Sequence, residues 1–179
     1  MKHLALLRGI NVSGHNMIKM DALKKALESI GFKDVVTYIQ SGNVFVESEE
    51  VSAAKVGFQI TQEIFKTFGH DVPTIVISKG DLQSCLDRNL FLKDKNVDLK
   101  KLYVSFLTSE LPENMITQIN LNFIKPDLIQ LDGKRVYLKY DISPAKTRLD
   151  NKWIEKNMNV IATTRNWNTV NKLLELFEE

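Results

Sequence analysis

Apolar residues recur along this chain in two periods, and the switches between them mark its elements. Leu4 to Leu7 is a continuous apolar run, the pattern of a strand buried on both faces. Asp21 to Ile30 puts Leu23, Ala26, Leu27 and Ile30 at three- and four-residue spacing, with Gly31 just beyond, which predicts a helix and its stop. Val35–Gln40 and Val44–Glu47 read as strands joined through Ser41-Gly42-Asn43, where Gly42 and Asn43 tolerate positive φ. Val51 to Phe68 carries Val56, Ile60, Ile64 and Phe68 on one helical face, and Pro73 introduces the strand Thr74–Ser78. The order is β-α-β-β-α-β, the split βαβ or ferredoxin-like arrangement.

A short helix near Asp81–Asp87 follows, then the charged stretch Lys93–Asp98, which reads as a linker. Two domains are therefore expected, residues 1–92 and 99–179. The second round has a strand at Lys101–Leu107, a short helix at Glu113–Ile119, and strands Leu128–Leu131 and Arg135–Tyr140 around the turn Asp132-Gly133. A helix from Asp150 to Met158 and a final helix close the chain. This gives β-α-β-β-α-α. The fold class is α+β: two ferredoxin-like halves, the second incomplete, with extra C-terminal helices.

The closing stretch, Ala162 to Phe177, combines an apolar stripe (Trp167, Val170, Leu174, Phe177) with a polar opening (Thr163, Thr164, Arg165, Asn166, Asn168, Thr169). The stripe assigns Trp167 to a core. The opening reads as a helix start, capped by Thr163 or Thr164. Arg165 beside free N–H groups would suit an anion, and a buried hydrogen-bond network would use the same residues.

Composition narrows the setting. The chain has 179 residues, 44% of them hydrophobic, ample for packed cores. A single cysteine, Cys85, excludes an intrachain disulfide and fits a reducing compartment. The first apolar run is too short for a signal peptide and no stretch could span a bilayer, so a cytoplasmic protein without membrane contact is expected. Net charge is only +2, but Lys134 to Lys172 holds nine Lys or Arg against three Asp or Glu. The remainder holds fifteen against nineteen. Such a segment is compatible with a phosphate-bearing partner, nucleotide or nucleic acid, and with a solvated surface.

Several chemistries are poorly served. Gly9 and Gly14 sit five apart between a strand and a helix, but His15 and Asn16 stand where a phosphate-binding loop needs Lys and then Ser or Thr. A weaker anion-holding role for that loop, with Arg8 and Asn11, competes with a simple tight turn. The histidines and Cys85 are scattered, so no metal site is expected, and no cofactor is implied. Ser41 lies at a turn and no nucleophile elbow exists. Alternation along Arg135–Tyr140 and Lys101–Phe106 offers a face bearing Tyr137 and Tyr103 with basic neighbours, a candidate stacking surface for single-stranded nucleic acid or a face covered by another element.

The blocks Leu6–Val12, Tyr38–Val44, Lys146–Leu149 and Ala162–Val170 together resemble the bacterial domain-of-unknown-function family 1697. Ser13 departs from the pattern, where members often carry Gly. The resemblance implies no activity; it implies that the polar blocks belong together. The expectation is a binding module for a phosphate-bearing ligand in a cleft between the halves. Its residues are Arg8, Asn11, Ser41, Asn43, Lys146, Arg148, Arg165, Asn166 and Asn168. An enzyme working through the same residues, or a purely structural network, are the alternatives.

Overall fold

The computed structural model describes residues 1–179. The chain forms two compact units, Met1–Asp81 and Leu82–Glu179.

The first unit runs β1 (Lys2–Leu7), α1 (Met20–Ser29), β2 (Lys33–Tyr38), β3 (Asn43–Glu47), α2 (Ala53–Phe68) and β4 (Thr74–Ile77). Its sheet has the order β2-β3-β1-β4, every neighbour antiparallel. The apolar run predicted to be central is central, since β1 pairs with both β3 and β4. One sheet face, including Ala5, Leu7, Val44 and Val46, packs on Leu23 and Leu27 of α1 and on Val56, Ile60 and Ile64 of α2. These are the stripe positions that periodicity selects. At the mouth of the β2–β3 hairpin, Gly42 takes φ +79°, and a Cβ there would stand 2.7 Å from Cβ of Leu7.

The second unit follows α3 (Lys79–Asp87), which spans the boundary. It comprises β5 (Leu102–Leu107), α4 (Met115–Gln118), β6 (Leu128–Asp132), β7 (Arg135–Lys139), α5 (Asn151–Met158), β8 (Ala162–Asn166) and α6 (Trp167–Glu178). Its sheet order, β6-β7-β5-β8, repeats that of the first unit, again antiparallel throughout.

The ferredoxin-like class therefore holds, with one correction. The second half is complete, because Ala162–Asn166 is its fourth strand and not the opening of the last helix. Two neighbouring threonines favour extended backbone, their branched side chains fitting a pleated surface. The edge of β5 offers them a partner: Ser105 pairs with Thr164, and their hydroxyls lie 2.5 Å apart. The helix starts at Trp167, and its cap is Asn166, whose side chain accepts from the N–H of Thr169 at 2.8 Å. Trp167, Val170, Leu173 and Phe177 form its buried stripe.

The unit boundary also falls earlier than residues 92–99, because residues 85–90 are tied to the second sheet. The Tyr137 hydroxyl donates to the carbonyl of Cys85 at 3.0 Å. Arg88 forms an ion pair with Asp132 at 2.9 Å. The amide of Gln130 donates to the carbonyl of Arg88 and accepts from the N–H of Leu90, at 3.0 and 2.8 Å.

Candidate functional site

Four of the residues singled out from the sequence lie in the first unit. Asn11, in the loop after β1, adopts φ +53°. Its side-chain N–H group donates to the carbonyls of Ile18 and Gln40, each at 3.0 Å, and its Oδ1 accepts from the N–H of Ile18 at 2.8 Å. One amide thus closes its own loop and fastens it to the β2–β3 turn. Asn43 is buried and donates to the carbonyl of Tyr38 (3.0 Å) and to the hydroxyl of Ser41 (3.2 Å), fixing the hairpin. Ser41 is exposed and Arg8 partly so; the Arg8 backbone N–H bonds the carbonyl of Pro73 at 3.0 Å. Both asparagine amides bond backbone carbonyls of their own neighbourhood, and Asn43 bonds the Ser41 hydroxyl as well.

The remaining five lie in the second unit. Arg165, on β8, is only 6% exposed. Its guanidinium donates to the Thr163 hydroxyl at 2.8 Å and to the carbonyl of Thr164 at 2.9 Å. Burial alone pushes its pKa down to about 10, which still leaves it charged at neutral pH. Thr164 donates in turn to Asn151 at the start of α5, at 2.5 Å. Asn166 serves as the α6 cap, and Asn168 is exposed in the first turn of that helix.

The shared tyrosine face is not formed. Cross-strand pairing sets Tyr103 opposite Leu138 and Tyr137 opposite Val104, so the two rings lie on opposite faces of the sheet. Two strands read separately carry no information about their mutual register. Tyr137 is fully buried, and Tyr103 packs against Tyr140 with ring centroids 4.6 Å apart.

Lys146 and Arg148 are exposed, on a loop that one buried carboxylate helps to hold. Asp127 is 2% exposed. It accepts from the N–H groups of Asp141 (2.7 Å) and Ile142 (3.3 Å) and from the hydroxyl of Thr147. The Thr147 oxygen accepts from the N–H of Leu149 at 2.9 Å, and Leu149 is buried in the core. The loop is thus pinned from beneath, with its basic side chains outward.

Arg148 lies over the ring of Phe123, 5.2 Å from the centroid. Phe123 ends a 3-10 turn, Leu121–Phe123, and Lys125 follows it. Beyond Arg148, Asp150 caps α5 by accepting from the N–H of Trp153. Lys152 and Lys156 stand one turn apart on the exposed side of that helix. Lys125, Lys146, Arg148, Lys152 and Lys156 form no ion pair. The nearby carboxylate of Asp141 is shared between Lys101 and Lys139, at 3.7 and 3.8 Å. Glu155 accepts from the N–H of Ala162.

Sequence reasoning did not single out Phe123, Lys125, Asp127, Lys152 or Lys156. The charge excess from Lys134 onward pointed at this region. Nothing in the order of residues 121–127 connects them to Arg148.

Two ferredoxin-like halves in tandem, each with a β-α-β-β-α-β order, define the structural class. The chain belongs to a family described as Protein of unknown function (DUF1697), whose family model matches residues 1–137. Among solved structures it is similar to a conserved bacterial protein, SP0830 from Streptococcus pneumoniae. The TM-score is 0.70 at 24% identity, covering 97% of each chain. That likeness speaks for the fold. No curated protein matches. No helix is long and apolar enough to cross a membrane.

Proposed function

We propose that the second unit binds a phosphate-bearing ligand through the basic rim formed by Lys125, Lys146, Arg148, Lys152 and Lys156. The observation that carries this reading is that five exposed cations on adjoining loops and one helix form no ion pair. Paired surface charges are neutralised locally and contribute little. Unpaired charges of one sign sum to a field that attracts a polyanion. Asp127 holds the loop of Lys146 and Arg148 in one shape, so part of the rim is ordered before any ligand arrives. That arrangement lowers the ordering cost of binding.

Fluorescence anisotropy with a labelled oligonucleotide tests the reading. Affinity should fall linearly on a log–log plot against salt, each phosphate contact adding about 0.7 to the slope for a single strand. Replacing Lys146 or Arg148 by Ala should reduce that slope by about one contact. No binding at low salt, or a slope unchanged in both variants, would refute it.

A further inference from the structure

We infer that the ligand of this basic rim is an unpaired nucleic-acid strand, whose bases stack on Phe123 and Arg148. The inference rests on the reading of the rim as a phosphate site and adds the identity of its ligand. Charge alone does not separate a single strand from a duplex, a polyphosphate or an anionic lipid surface. The aromatic beside Arg148 does.

Phe123 is 47% exposed although its neighbour Ile124 is 3% exposed in the core. The 3-10 turn before it is closed by the Asn120 side chain, which accepts from the N–H of Asn122 at 3.1 Å. The turn therefore holds the ring at the surface while Ile124 anchors the backbone beneath it. The guanidinium of Arg148 sits 5.2 Å above the ring centroid, a geometry in which cation and ring attract. A flat apolar ring joined to a flat cation suits the face of a base, and proteins that hold single strands stack bases on aromatic rings and on arginine planes. Lys125 lies two residues beyond the ring and Lys146 two before Arg148 on the other loop, so cations flank the platform on both sequences. A duplex keeps its base faces stacked inside and would leave Phe123 in water. A polyphosphate would do the same.

The test uses the full chain and two probes, a fluorescein-labelled oligothymidylate and inorganic polyphosphate as its competitor. Phe123→Leu keeps an apolar side chain and removes the ring. The oligothymidylate should bind this variant about tenfold more weakly, the loss expected for one stacked base. Competition by polyphosphate against a labelled polyphosphate probe should be unchanged. In Phe123→Trp, oligothymidylate should quench the added indole emission, while polyphosphate should not. Equal binding of both probes by wild type and Phe123→Leu, with no selective quenching, would overturn the stacking inference and leave the phosphate reading standing. Preference for a duplex over the single strand would also overturn it. Absence of binding to either probe would overturn both. Circular dichroism of each variant establishes that the fold is kept.

Discussion

The carboxylate of Asp127 accepts a hydrogen bond from the hydroxyl of Thr147 across twenty residues of sequence, and the same carboxylate accepts from two backbone N–H groups at Asp141 and Ile142. Three donors depend on one buried side chain. In Asp127→Ala these part-buried donors lose their acceptor, and because water can replace some of it, a total loss of roughly 1–3 kcal/mol is expected. The variant should lose that much stability in a urea melt. It should also bind oligonucleotide more weakly, although no cation has been removed. Unchanged stability would mean that the loop has another anchor.

Gly42 and Gly14 both adopt positive φ, +79° and +80°, but in different surroundings. At Gly14 nothing lies within 4 Å of a Cβ. At Gly42 a Cβ would meet Leu7 at 2.7 Å and Ile10 at 2.8 Å, both fully packed core residues. Gly14→Ala should therefore cost only the backbone term, about 1–2 kcal/mol. Gly42→Ala adds an overpacking term of about 1–3 kcal/mol. Thermal melts of the two variants separate the terms, and equal losses would contradict the close approach.

Much of the first unit was legible because its signals are local. The stripe of α2 and the turn residues of the β2–β3 hairpin lie within a few residues of one another, and hydrophobic burial acts on that periodicity directly. Strand β8 was illegible for the opposite reason. Thr163, Thr164 and Arg165 look like a polar helix opening until Ser105, fifty-nine residues away from Thr164, supplies the partner. The tyrosine faces failed likewise, since register is a property of a pair of strands. At the rim, Lys146 and Arg148 could be suspected from charge. Asp127 could not, because a buried carboxylate has the same letter as an exposed one.

Cys85 gives the pH dependence a sign. Burial pushes its thiol pKa up to about 12, against an ordinary value of 9.0. In the unfolded chain the thiol ionises near its ordinary value, while the folded chain keeps its proton. The folded state binds more protons in that interval, so stability falls as pH rises from about 9 towards 12. Below pH 9 this contribution is fully present. Cys85→Ala should show a shallower alkaline loss in urea melts than the wild type. The native thiol should also react slowly with a thiol reagent at pH 8, because the thiolate is the reactive form. Rapid native labelling at that pH would contradict the burial.

Two arginines of the second unit, Arg165 and Arg148, should separate structure from binding. Arg165 is buried, charged at neutral pH, and donates to the Thr163 hydroxyl and the Thr164 carbonyl within its own strand. A buried charge is tolerated only where its donors are met. Arg165→Ala removes the charge but takes a donor from those acceptors in a buried site, so a loss of roughly 1–3 kcal/mol is expected. Arg148 is exposed, and its contact with the Phe123 ring is worth about 0.5–1 kcal/mol at such a site. Arg148→Ala should therefore stay within about 1 kcal/mol of the wild type, yet bind oligonucleotide several-fold more weakly at low salt. Arg165→Ala, measured well below its melting temperature, should retain most of the affinity. Urea melts and anisotropy titrations on the same two variants give both quantities. If Arg165→Ala were stable and binding-deficient while Arg148→Ala bound normally, the ligand site would have to be moved from the basic rim to the polar strand β8.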